Sequence, residues 1–362
     1  VSGARCAIPF LVRSGQQIAL EEKVMMKVTA LTLFAIALVS GIVQAGVPQS
    51  KAASPAKNKA ASPGGDKLAT PYTRKAPTSK KAVNQILFDD LNYSNGSEFE
   101  KNGWIIRTAP GWPGIPGASW RKEGVTFLND ENGARNRFLR MTSSTDGTGA
   151  NTYQTQICQQ RKYFEGTYAA RVRFNNDPVS GPAGDQLVQS FYAIAPLKAP
   201  MDPDYSELDF EYLPKGGWGS DGPTLFATSW RTFSPEPNWQ KDNVFNTISG
   251  SQAGWHTLVT QVADQKVRYF IDGKPIAEHT GAYYPRSIMS LNFNLWFIKD
   301  QTVKSSEVRK YNEDIDWVFY EAKTALTPEE VESKVASMRK LSVKFKDTVP
   351  PQMPALTSPC NF

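Results

Sequence analysis

From Gln85 onward, apolar and polar positions alternate in short runs of β-branched and aromatic residues, broken by Gly, Pro, Asn and Asp. The clearest runs are Gly166 to Phe174, Gln186 to Ile194, Thr257 to Val262, Val267 to Ile271 and Met289 to Ile298. A period of two with turn residues at this spacing predicts strands of an all-β sandwich or barrel. Asp264-Gln265 and Asp272-Gly273 flank one strand as turns, Asp-Gly being a strong hairpin signal. One late stretch differs. Thr327-Pro328-Glu329-Glu330 supplies an N-cap, a proline at the first helical position and first-turn acids, which predicts one helix over Pro328 to Leu341. It carries no catalytic group and is expected on the outside of the sandwich.

Ahead of Gln85 the pattern is lost. Val28 to Val43 is an uncharged apolar run that follows Met26-Lys27 and precedes Val43-Gln44-Ala45. That is the order of a signal peptide over 26–45, and the run is short of the ~20 apolar residues of a membrane span. Secretion, to the extracellular space or periplasm, is the expectation, with no stable membrane anchor. Residues 1–25 fit no part of a signal and read as a start assigned too far upstream. Residues 46–84 are rich in Ala, Ser, Pro and Lys, with K-A-A-S-P at Lys51 to Pro55 and again at Lys59 to Pro63, and cannot bury enough apolar surface to fold. They read as a flexible basic linker, either a solvated spacer or an arm that associates with an anionic cell wall.

Charge alters the picture only after it is divided along the chain. The 362 residues carry 41 Lys+Arg and 35 Asp+Glu, a net +6. Residues 1–84 hold 12 basic and 3 acidic residues, which leaves 29 against 32, or −3, for the rest. The folded part thus has no electrostatic footprint for a phosphate backbone, and nucleic acid drops out as a partner. Beyond the leader two cysteines remain, Cys158 and Cys360. In an oxidising compartment they are expected to form a disulfide tying the tail to the domain; the alternative is two unpaired thiols.

The chemistry concentrates in Tyr205-Ser206-Glu207-Leu208-Asp209-Phe210-Glu211-Tyr212-Leu213. On a strand Glu207, Asp209 and Glu211 share one face while Leu208, Phe210 and Tyr212 face the core. Neighbouring like charges are destabilising, so something other than stability has selected them. The Cα atoms of Glu207 and Glu211 lie ~13 Å apart at ~3.3 Å per residue. Side chains leaning together on a curved strand close that to roughly 5–6 Å, the separation of the two acids in a retaining glycosidase. A calcium-binding strand and a plain acidic edge are the alternatives.

Glu207-Leu208-Asp209-Phe210-Glu211 resembles the E-x-D-x-E signature of glycoside hydrolase family 16, the laminarinase and lichenase group. The resemblance runs in family order from Leu87-Phe88-Asp89-Asp90 through Gly166-Thr167-Tyr168, Gly254-Trp255-His256 and Tyr269-Phe270-Ile271-Asp272-Gly273 to Asp314-Ile315-Asp316-Trp317. It implies a concanavalin-A-like jelly roll of two curved antiparallel sheets over 85–320, with 321–362 a helical extension outside the family core. It also implies Glu207 as nucleophile, Asp209 as its assistant and Glu211 as general acid/base. The activity implied is that of a retaining endo-β-glucanase acting on β-1,3-1,4- or β-1,3-glucan, with a transglycosylase or a non-cleaving lectin on the same fold as alternatives. The uninterrupted pentapeptide is the spacing of the lichenase and xyloglucan-acting branches.

A polysaccharide cleft needs aromatic platforms for sugar faces and a few polar partners for hydroxyls. Tyr205 and Trp296 match family cleft positions, and Tyr192, Trp218 and Trp120 are further aromatic candidates. Arg171 resembles a family cleft arginine, and Asn294 is a candidate hydroxyl partner. Asp316 matches a position at which family members hold a structural calcium. The chemistry itself needs no cofactor, His256 and His279 are too far apart for a metal motif, and a monomer is expected. The acid pair should titrate in separated steps, giving a bell-shaped pH profile on the acidic side of neutrality.

Overall fold

A computed structural model describes residues 84–129, 137–358 and Cys360. The expectations for 1–25, for the signal peptide over 26–45 and for the linker over 46–83 lie outside the described residues. The rest folds as an all-β jelly-roll sandwich of two antiparallel sheets.

One sheet contains β1 (Ile86–Asp89), β4 (Val125–Asn129), β5 (Arg137–Thr145), β7 (Gly166–Phe174), β12 (Gly254–Ala263), β13 (Lys266–Ile271), β14 (Lys274–Thr280), β16 (Arg309–Ala322) and β17 (Phe345–Asp347). Its order runs β14-β13-β12-β7-β16, and the far edge of β16 is shared by β5 along one half and by β1 and then β17 along the other. The second sheet runs in the order β2 (Ile105–Ile106), β6 (Tyr153–Cys158), β15 (Ser290–Phe297), β8 (Leu187–Ile194), β9 (Glu207–Leu213), β10 (Thr224–Ser234), β11 (Gln240–Ser249). The short β3 (Ser119–Trp120) pairs with β6 in the one parallel contact of the described strands.

The two-residue period dictates which side of each strand is buried. Tyr168, Ala170 and Val172 of β7 meet Leu208, Phe210 and Tyr212 of β9 in the core between the sheets, with Phe191, Phe293 and Tyr269. Leucine- and phenylalanine-sized side chains sealed this way contribute roughly 1.5–3 kcal/mol each. Asp264 and Gln265 both adopt left-handed φ, 54° and 58°, in the turn joining β12 to β13, and Asp272-Gly273 turns β13 into β14. Both are the tight turns the sequence implies.

The expected helix is α2 (Pro328–Lys340); a short α1 (Gly96–Lys101), capped by Asn95, precedes it and was not foreseen. The Thr327 side chain accepts from Glu330 N while the Glu330 carboxylate accepts from Thr327 N, a reciprocal cap of ~1 kcal/mol. Val331 and Val335, one turn apart, pack on Ile86, Phe88, Val259 and Phe319, so α2 covers the outer face of the first sheet. Its last turn is pinned by Arg339, whose guanidinium bonds Asp90 Oδ1 at 2.5 Å and both carboxylate oxygens of Asp316 at 2.8 and 3.0 Å. At Asp316, the position the sequence offers for a calcium, the carboxylate is paired with the half-buried guanidinium of Arg339. The placement of Arg171 in the cleft is corrected. On β7 the core takes Tyr168, Ala170 and Val172, so Arg171 points out of the first sheet, 3.6 Å from Asp316 and over Trp255, remote from the acid strand.

Cys158, at the end of β6, is bonded to Cys360 across 202 residues of sequence. The tail is thereby stitched to the sheet that carries the acids.

Candidate active site

β9 lies in the middle of the second sheet, between β8 and β10, so both edges are hydrogen-bonded and its side chains cannot slip in register. Because Leu208, Phe210 and Tyr212 are in the core, Glu207, Asp209 and Glu211 emerge together on the opposite, outward face. There they line a cleft of about 300 Å³ with Ser190 and Tyr192 from β8, Asn294 and Trp296 from β15, Gln156 from β6, and Arg107.

The environment of each acid differs. Tyr205, fully buried and edge-on to Phe233 at 5.3 Å, donates its hydroxyl hydrogen to Glu207 Oε2. Burial raises Glu207 to about 7 against the pull of that hydrogen bond. Glu211 has no such donor, and burial together with the charge of Glu207 pushes it to about 8. Asp209, 2% exposed, is held well above the carboxylate range by burial and by both neighbours, against a hydrogen bond from Trp230. Its Oδ2 has no partner among the described residues. That setting favours its protonated form, and its hydrogen bond comes from Trp230 on β10.

Under the acids runs a buried polar chain. Arg107 Nη1 donates to Gln156 Oε1 at 2.8 Å, Gln156 Nε2 donates to the Tyr192 hydroxyl at 2.8 Å, and Asn294 Nδ2 donates to the same hydroxyl at 3.2 Å. Asn294 Oδ1 accepts from Ser190 Oγ at 2.5 Å. With two donors on its oxygen, the Tyr192 hydroxyl keeps its hydrogen free to point into the cleft.

The structure sorts the sequence candidates. Glu207, Asp209, Glu211, Asn294, Tyr192 and Trp296 line one cleft. Tyr205 also reaches it, but as a hydroxyl donor to Glu207 with its ring packed away, not as a platform. Trp218 is 48% exposed and stands 6.1 Å from Trp296, at the margin. Trp120 is corrected: it is 2% exposed, lies beneath the Arg107 guanidinium at 4.3 Å and bonds Gly111 O, so no sugar can reach it. Sequence reasoning missed Arg107, Gln156 and Trp112. Among the described residues no group of three or more His, Cys, Asp or Glu side chains is placed to hold a metal ion.

No family model matches the chain, and no curated protein does. Solved structures are similar to it at low identity. A β-glucanase of Bacillus licheniformis is 15% identical with a TM-score of 0.46, over 65% of this chain and 97% of that one. A glycoside hydrolase family 16 endo-glucanase from Bacteroides ovatus is 16% identical with a TM-score of 0.47, over 64% and 98%. A laminarinase from Flavobacterium sp. is 16% identical with a TM-score of 0.46, over 65% and 98%.

Proposed function

We propose that the protein is a retaining glycoside hydrolase acting on a β-glucan. The observation that carries this reading is the unequal environment of two glutamates on one face of β9. Glu207 has a donor that favours its charge, whereas Glu211 has none and is the harder to ionise. Between their pKa values Glu207 is a carboxylate and Glu211 an acid, the division of labour that double displacement needs.

In the first step the Glu207 carboxylate attacks the anomeric carbon, the glycosidic C–O bond breaks, and Glu211 gives its proton to the departing oxygen. In the second, Glu211 takes a proton from water, the water oxygen attacks the same carbon, and the ester bond to Glu207 breaks. Two inversions return the starting configuration. Burial and its two charged neighbours favour protonation of Asp209, which limits the negative charge beside Glu207. Tyr192 and Asn294 offer hydrogen bonds to sugar hydroxyls, and Trp296 offers an apolar face. A neutral, hydroxyl-rich chain suits this lining, whose one cation, Arg107, is spent on backbone carbonyls and Gln156. The Cys158–Cys360 bond supports a secreted protein, since such bonds persist in oxidising compartments.

The test is digestion of mixed-linkage β-1,3-1,4-glucan, laminarin, xyloglucan, agarose and carrageenan, with product anomers followed by NMR. Initial release of β-anomers from a glucan that Glu207→Gln does not cleave is expected. Initial α-anomers, or an active Glu207→Gln, would overturn the assignment.

A further inference from the structure

Between β2 and β3 the chain crosses the outer face of the acid-bearing sheet as Arg107-Thr108-Ala109-Pro110-Gly111-Trp112-Pro113-Gly114-Ile115-Pro116-Gly117. The Trp112 ring lies 6.5 Å from Trp296 on β15 and 5.9 Å from Phe233 at the end of β10. In the strand order β8 and β9 lie between those two, so one indole reaches from wall to wall over the strand that holds the acids. Trp112 and Pro113 line the same cleft as Glu207, Asp209 and Glu211, and Trp112 also presents much of its ring to solvent, 69% of the residue being exposed.

The roof is tied down. Arg107 donates to Ala109 O at 2.9 Å and Trp112 O at 3.1 Å, Trp120 to Gly111 O at 3.0 Å and Gln154 to Pro113 O at 3.1 Å. All three donors are at least nine-tenths buried. A Cβ on Gly114 would come within 2.0 Å of Gln154 Oε1, so the chain passes where only glycine fits. Beyond β9 the surface is open instead, with Trp239 and Phe245 on the β10–β11 side 44% and 47% exposed.

We propose that this strap closes the cleft on its β6–β15–β8 side and makes Trp112 the residue that directs the enzyme to chain ends. The inference rests on the hydrolase reading above and replaces the interior, endo attack expected from the family resemblance. One end of the glucan enters the roofed pocket, whose 300 Å³ is at the small end of the ~300–1,000 Å³ range of small-molecule sites and holds about one or two sugar rings. The remainder of the chain leaves over β10 and β11, where Trp239 and Phe245 offer apolar faces.

Two measurements test this on the full chain. Viscosity loss per reducing end released from mixed-linkage β-glucan should be low for the wild type, with short sugars as the first products. In Trp112→Ala it should rise severalfold, with a ladder of longer products. Gly114→Ala, which pushes the strap off Gln154, should shift it the same way. A steep viscosity loss in the wild type, or an unchanged ratio in both variants, would overturn the inference while leaving the hydrolase reading intact. In parallel, Glu207→Gln is titrated with cello- and laminari-oligosaccharides and monitored by tryptophan fluorescence. Molar affinity should level off once the pocket and the β10–β11 side are filled, and should keep rising to greater length when Trp112→Ala is added. Affinity that keeps rising with length in both proteins overturns the chain-end inference by binding alone. Absence of both cleavage and binding overturns the hydrolase reading and the chain-end inference together.

Discussion

The Tyr205 hydroxyl is bonded to Glu207 Oε2, so a side chain two residues upstream favours the ionised form of Glu207 against the burial that raises both glutamates. A hydrogen bond to a charged group is worth about 1.5–3 kcal/mol. Tyr205→Phe keeps the ring on Phe233 and deletes the donor. We expect kcat/KM to fall roughly 10- to 100-fold on that energy scale, and the acidic limb of the pH profile to move to higher pH. A pH–rate series on an aryl β-glycoside checks it; an unmoved acidic limb would detach Tyr205 from the nucleophile.

The free enzyme should give a bell-shaped kcat/KM profile with limbs near the values of Glu207, about 7, and Glu211, about 8. Activity needs Glu207 ionised, so it is lost below the first limb. It needs Glu211 protonated, so it is lost above the second. Burial thus moves the optimum from the acidic side suggested by ordinary carboxylates to neutral or slightly alkaline pH. Glu211→Gln should abolish the alkaline limb.

Removal of the acid/base group separates the two chemical steps. Glu211→Ala should lose ~10²- to 10⁴-fold in kcat on a glucan but form the glycosyl-enzyme readily from substrates with activated leaving groups. Added azide should then yield a β-glycosyl azide, read by NMR. An α-azide would mean that the roles of Glu207 and Glu211 are reversed.

Stability predictions follow from two distant ties. Cys158→Ala/Cys360→Ala should unfold at lower denaturant, a loss of ~2–5 kcal/mol, with a steeper slope because the uncross-linked unfolded chain exposes more surface. Intact-mass analysis of the alkylated native protein should show no free thiol at either position.

Arg339→Ala should cost about 3 kcal/mol in the same measurement, because it removes the guanidinium that bonds the buried carboxylates of Asp90 and Asp316 together. Loss of α2 from the outer sheet should precede global unfolding in hydrogen exchange.

Local pattern made much of this legible. The strand runs, both turns around β13, the Thr327-capped helix and the shared face of Glu207, Asp209 and Glu211 all follow from period and turn chemistry. What failed was global placement. Parity alone puts Arg171 opposite the core residues Ala170 and Val172, but only the assembled sandwich shows that its outward side is the one away from the cleft. Tyr205 was read for its ring when its hydroxyl matters, and residue type cannot choose between them. Trp120 lies under Arg107 and Asp316 is paired with Arg339, contacts that no local pattern announces. Arg107, Gln156 and Trp112 carry no local signature, since their roles depend on how the loop after β2 lies over the acid-bearing sheet.

The position of Asn84 sets where an attachment can leave the domain. Its side chain donates to Glu321 and its carbonyl accepts from Thr348, and the strand that follows, β1, lies between β16 and β17 under α2. That attachment point belongs to the sheet opposite the acids. An attachment made at Asn84 therefore leaves the domain from the sheet that does not carry the cleft.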